Sequence, residues 1–315
     1  MKNIKLFSLV IATAFIFASC DKCNELDSTQ NNEQLNKINA SEFLSFDSNL
    51  DVMSPSGNTK AKSRIKTMWD AYQEIVNYSV DPEKEAEYQQ AIKQYADILK
   101  PIGNNEYEMI ISDPIVAQKF NSNGVLAIGN NIYIAEVGKI TKYVKENGIF
   151  KLVKKFNRPF EEIQDIEIDS SSFTNSTKSA QVITKTGEWT SDSYSVKVSS
   201  RRRIRVWMYA ETYGDIGASV GAKSKYYRKN WKDKKGDNRL EFKCSELTYT
   251  NSSGISKTIY NETAMSNTKD RVHLYAANRY VNMNGNKEYS ITNPIVKFWR
   301  SSTGSGTAYV FDDFH

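Results

Sequence analysis

Between residues 62 and 79 the apolar side chains Ile65, Met68, Trp69, Tyr72, Ile75 and Val76 recur at spacings of three and four, which predicts an amphipathic helix. Asp81-Pro82 then forms an N-cap followed by proline in the first turn, with Glu83 and Glu85 at the positive end of a second helix. Tyr88, Ala91, Ile92, Tyr95 and Leu99 make its stripe, and Pro101 lies just beyond. Two helices packing stripe to stripe account for this segment. From Tyr107 to Phe156 the period changes. Short apolar runs at Met109–Ile111, Val125–Ile128, Ile132–Ala135, Ile140–Val144 and Ile149–Val153 are separated by Asn/Gly turns at 123–124, 129–131, 138 and 147–148. Asn-Gly between such runs is a hairpin signal, so an antiparallel meander is expected beside the helices.

Glu161–Gly187 is polar, rich in Ser and Thr, and reads as a linker. From about Thr190 the pattern is all-β. Tyr194, Val196 and Val198 alternate with Ser195, Lys197 and Ser199; Leu240, Phe242 and Cys244 alternate with Arg239, Glu241 and Lys243. Seven or eight short strands in this stretch suggest a sandwich of immunoglobulin-like or jelly-roll type. The fold class is therefore α+β: a helical pair with an antiparallel meander at 61–160, a polar linker at 161–189 and a β-sandwich at 190–315.

The strand 201–210 has two contrasting faces, because side chains alternate along a strand. Ile204, Val206, Met208 and Ala210 form an apolar face. Arg201, Arg203, Arg205, Trp207 and Tyr209 form the other: guanidinium groups leading into two aromatic rings. Arginine meets carboxylate or phosphate bidentately and aromatic rings stack on sugars or cations. The row is thus a candidate ligand-binding face for a glycan or an envelope partner. The competing account is a pleated surface covered by long side chains that ladder across strands.

The N-terminus carries Lys2 and Lys5 before the apolar run Leu6–Phe17. A dozen residues are too few to span a ~30 Å hydrocarbon core. A basic start, an apolar run and small residues are the layout of a secretory signal at residues 1–19. Phe17-Ala18-Ser19-Cys20 resembles a bacterial lipobox, with Phe17 where the usual pattern has leucine. The resemblance implies lipidation of Cys20. Residues 20–60, rich in Asn, Asp, Ser, Gln and Glu, are expected to be a flexible tether, although Phe43–Leu50 is apolar enough to dock on the body.

Charge sharpens this picture. The 315 residues sum to +5; residues 1–19 hold two lysines and no acid, leaving +3 beyond them. Yet residues 201–235 contain eleven Lys/Arg and three Asp/Glu, a local +8. Two histidines and three cysteines make zinc ribbons, haem attachment and iron–sulfur clusters poor fits, so neither metal nor cofactor is expected. An exported chain without a recognised motif does not suggest nucleic-acid binding. No nucleophile elbow, zinc-helix motif, P-loop or dinucleotide fingerprint is present, and the chain is read as not an enzyme.

Phe120-Asn121-Ser122-Asn123-Gly124-Val125-Leu126-Ala127-Ile128-Gly129-Asn130-Asn131-Ile132-Tyr133 resembles a segment common in uncharacterised Bacteroidota lipoproteins. The resemblance implies lineage and a lipid-anchored envelope location, with the outer membrane favoured, and carries no activity with it. The sequence thus points to a lipid-anchored cell-envelope protein of non-catalytic binding type, working through the Arg201–Tyr209 face on a glycan or envelope partner. The alternatives are a structural or assembly lipoprotein with protein partners alone, and a carboxylate-dependent hydrolase.

Overall fold

The computed structural model describes residues 42–56, 65–102, 106–158, 165–168, 182–186, 189–190, 193–199, 202–228, 232–233, 236–250, 256–260, 263–281, 288–299 and 308–311, together with Asn36 and Ile38. The chain divides into Met1–Ser41 and a compact unit, Glu42–His315; in the first, only Asn36 and Ile38 are described, both helical. Cys20 and the signal segment lie outside the described residues, as does Cys23.

The first helix of the predicted pair is Met68–Ser79. It starts later than the apolar spacing suggested because Thr67 and Asp70 form a reciprocal capping box that fixes the first turn. Met68, Ala71, Tyr72, Ile75 and Val76 are its buried face. The second begins as a 3₁₀ turn, Pro82–Lys84, capped by Asp81, and continues as Glu85–Gln94. It stops short of Leu99. Tyr95 leaves helical geometry, a second 3₁₀ turn follows at Ala96–Ile98, and Leu99–Pro101 pairs antiparallel with Tyr107–Met109.

The meander forms with the predicted strands: Val125–Ile128, Asn131–Glu136, Lys139–Glu146 and Ile149–Asn157, each antiparallel to the next. Its turns need left-handed residues. Gly124 has φ +79°, and a Cβ there would stand 2.4 Å from the Ala135 carbonyl oxygen. Asn147 and Gly148 both have positive φ, the geometry of a type I′ hairpin turn. A fifth strand, Leu44–Phe46, joins parallel to Val125–Ile128. Phe46, Val52 and Met53 are buried in the same core as the helices. Residues from Glu42 onward, expected within the tether, therefore belong to the body.

The polar stretch 161–189 also contributes strands. Asp165–Ile168 runs parallel to Ser193–Ser199, Val182–Thr186 forms one edge of a small sheet, and Trp189–Thr190 pairs with Arg202–Thr212. Its Ser/Thr-rich composition signals loop, but threonine suits strands and backbone pairing needs no apolar run.

The remainder is a β-sandwich. Its main sheet centres on Arg202–Thr212 and Gly217–Arg228, with Ser193–Ser199 on one side and His273–Val281 on the other. Opposite lie two four-stranded sheets. One contains Thr263–Arg271, Gly236–Lys243, Ile295–Trp299 and Ala308–Phe311; the other contains Ser256–Tyr260, Glu246–Thr250, Glu288–Thr292 and Val182–Thr186. Val206, Met208, Val220 and Ala276 from the main sheet share one core with Leu240, Phe242, Cys244, Leu247 and Ile291. Cys244 is thus a buried core residue.

Candidate functional site

The main sheet is covered on both faces, and the second face holds the predicted row. Alternation sends Ile204, Val206, Met208 and Ala210 into the sandwich core. It sends Arg203, Arg205, Trp207, Tyr209 and Glu211 the other way, toward the α+β module. The register sets these side chains beside Tyr227, Lys225, Lys223, Gly221 and Ser219. On the next strand it sets Lys225 beside His273, Lys223 beside Tyr275 and Ser219 beside Arg279. Arg205, Lys225 and His273 therefore form one transverse row. Like charges facing each other across strands repel, so the row requires acids from elsewhere.

The α+β module supplies them. On the Glu106 carboxylate, Oε2 accepts from Lys225 Nζ at 2.9 Å and Tyr227 Oη at 2.9 Å, and Arg205 Nη1 stands 3.5 Å away. Glu108 is fully buried: Oε2 accepts from Lys223 Nζ at 2.9 Å, and Oε1 accepts from Tyr72 Oη at 2.5 Å. His273 Nδ1 lies 3.1 Å from the same Oε1. Lys223 also donates to Ser112 Oγ at 2.9 Å, while the Ser112 N–H donates to Glu211 Oε2 at 2.7 Å. Lys100 and Arg158 flank Glu211 at 3.6 and 3.9 Å. Asp113 takes Arg279 through both oxygens, at 2.8 and 2.6 Å. The aromatic members serve the same cations: Lys223 Nζ is 5.2 Å from the Trp207 ring and 5.6 Å from the Tyr209 ring, and Arg205 is 5.5 Å from Trp207.

Burial acts against each charge and the partners answer it. Burial alone would raise the Glu108 carboxyl, but Lys223 and the hydrogen bonds from His273 and Tyr72 outweigh it and hold the group well below the usual glutamate range. Glu211 is lowered in the same way, with Lys100 and Arg158 overcoming desolvation. At Asp113 burial wins over Arg279 and the carboxyl is raised. Lys223 is pushed down by burial, which Glu108 offsets only in part.

This geometry corrects the expectation of an open binding face. Arg205 is 2%, Trp207 1% and Tyr209 0% exposed. They close an internal seam, because the acids at 106, 108 and 211 neutralise the local excess of cations within the chain. Arg203 is partly exposed and pairs with Glu167 at 3.3 Å. Arg201 lies outside the described residues. The row does come together, but as a structural joint.

The sequence reading missed the seam's other members: Tyr72, Lys100, Glu106, Glu108, Asp113, Arg158, Lys223 and Arg279. One signal existed. Glu108 interrupts the apolar run Tyr107–Ile111 at a position that alternation assigns to an inner face. Among the described residues no group of three His, Cys, Asp or Glu side chains is placed to hold a metal ion. No described helix is long and apolar enough to cross a membrane. Compared with known proteins, the chain matches no family model and no curated protein.

Proposed function

We propose that this chain is a lipid-anchored protein of the cell envelope, held through Cys20, whose folded body works as a structural or assembly component on protein partners. The observation that carries this reading is the closure of the Arg205–Tyr209 row. The feature that most suggested a glycan site is consumed inside the chain, so recognition falls to the outer surfaces. The carboxylates that the fold gathers, Glu106, Glu108, Asp113 and Glu211, each meet a cation on the seam. They therefore lend no support to a carboxylate-dependent hydrolase.

Cells supplied with labelled palmitate test the anchor: the chain should take up label and the Cys20→Ala variant should not. Crosslinking followed by purification from detergent-solubilised membranes tests the role, and should recover a defined protein partner in fixed proportion. Binding to a glycan array that disappears in Arg203→Glu, with the fold intact, would overturn the structural reading.

A further inference from the structure

The meander ends in a hairpin that the body does not cover. Along Ile149–Asn157 the side chains at 149, 151, 152, 153 and 154 are all exposed. Successive residues on a strand point to opposite faces, so consecutive exposed positions mean that neither face is packed. Ile149 is 65%, Leu152 43% and Val153 51% exposed. Among the described strands nothing pairs with the outer edge of this one. Opposite it, Lys145 and Glu146 are exposed too, and Asn147-Gly148 makes the tip.

The charge of this projection is one-sided. Residues 144–155 contain four lysines and one acid, Glu146, a net +3; nearer the body Lys139 and Lys142 meet Glu136 and Asp215 at 3.3 and 2.6 Å. Lys151 meets Glu146 at 2.7 Å on the surface, and Lys145 and Lys154 lie over the rings of Phe150 and Phe156 at 5.4 and 5.1 Å. Ile149, Leu152 and Val153 therefore stand among the exposed lysines Lys145, Lys151 and Lys154, whose long stems suit an apolar surface.

We propose that this hairpin is a second membrane contact: it rests on an anionic phospholipid surface, with Lys145, Lys151 and Lys154 against the headgroups and Ile149, Leu152 and Val153 in the interface. Charge complementarity carries the choice of occupant. Basic side chains are drawn to an anionic leaflet, and shallow apolar burial adds to this. Strand addition by a second chain is disfavoured by the edge itself. Lys154 pairs with Lys142 and Leu152 with Tyr143, so Val153 is an unpaired bulge residue that twists the edge away from flat pairing. The proposal rests on the lipid anchor of the preceding section. Cys20 and Glu42 are separated by at most ~75 Å of fully extended chain, which keeps the hairpin at high effective concentration near the bilayer.

The lipidated chain, reconstituted separately into phosphatidylcholine vesicles and into vesicles containing phosphatidylglycerol, tests this by amide hydrogen exchange. The anchor should carry the chain into the vesicle pellet in both cases. The amides of 149–154 should exchange about tenfold more slowly or better on the anionic vesicles only. That protection should vanish in the Lys151→Glu/Lys154→Glu variant and shrink in Ile149→Ser, with unchanged exchange in the core strands showing that both variants fold. Equal exchange on the two vesicle types, with the chain pelleted, would overturn the hairpin contact and leave the anchor standing. A chain that pellets only with anionic vesicles would overturn the anchor and keep the hairpin contact. Protection that grows with protein concentration in the absence of vesicles would assign the edge to a second copy and overturn the proposal.

Discussion

The seam is set by single charges whose neighbours cannot be changed independently. Lys223 and Glu108 are both fully buried and 2.9 Å apart. Removing one partner leaves an uncompensated charge in a low-dielectric layer, which costs ~3–5 kcal/mol. Glu108→Ala should lower unfolding free energy by that amount in urea titrations. Replacing both partners with apolar residues of similar volume, Glu108→Leu with Lys223→Met, should recover most of the loss. The pair therefore governs where the strands dock more than how tightly they hold. Acid should act on the same residues. Glu108 and Glu211 are held below the ordinary range, so the folded chain binds these protons less readily than the unfolded chain. Their contribution is complete above about pH 4.5 and is lost as pH falls through the depressed values. Asp113 runs the other way, since its raised carboxyl favours the fold when protonated. The melting temperature should fall below about pH 4, and Glu108→Gln, less stable at neutral pH, should show a flatter acid limb.

At the scale of elements, local chemistry was legible and tertiary pairing was not. The hairpin turns followed from Asn-Gly pairs whose left-handed conformations Gly124, Asn147 and Gly148 adopt. The start of the second helix followed from Asp81, whereas the first was expected from residue 62 and begins only after the Thr67 cap. The end of the second helix could not be read, because Tyr95 to Leu99 keeps helical spacing while strand pairing with Tyr107–Met109 takes the chain away. The strands at 165–168 and 182–186 were hidden for a related reason: each borrows its order from a neighbour in a sheet. The small-residue strand Gly217–Arg228 gives a test at this scale. A Cβ on Gly221 would fall 2.2 Å from the Ala276 carbonyl oxygen and 2.7 Å from the Ala277 Cβ. Both contacts belong to the paired strand, so relief requires moving backbone. Gly221→Ala should cost about 1–3 kcal/mol or more, seen as a lowered denaturation midpoint and faster amide exchange along His273–Val281.

For the molecule as a whole, the α+β class and the sandwich were visible in the change of period along the chain, while the joint between its parts was not. Arg205 and Glu106 are 99 positions apart, and no spacing rule links an acid in one segment to a cation in another. The local excess of positive charge was correctly located, but its partner was sought outside the chain. Tyr213, Ile216, Val272 and Tyr275 from the sandwich strands and turns lie in the same core as the helices. Heating Glu42–His315 should therefore give one calorimetric transition whose van't Hoff and calorimetric enthalpies agree. Residues 190–315 expressed alone should uncover Trp207, Tyr209 and Tyr227 and bind a hydrophobic dye, which the whole body should not. Two separate transitions, or a soluble dye-silent fragment, would count against a shared core.

Because Arg202–Thr212 is packed above and below, its two residue sets are interchangeable only by a half-turn of the ribbon. Deleting a single residue from its middle would swing guanidinium groups into the greasy layer and methyl groups onto the carboxylates beyond the deletion. Change in its length can then be tolerated only two residues at a time, a ratchet that should mark this strand in any diverged copy of the gene.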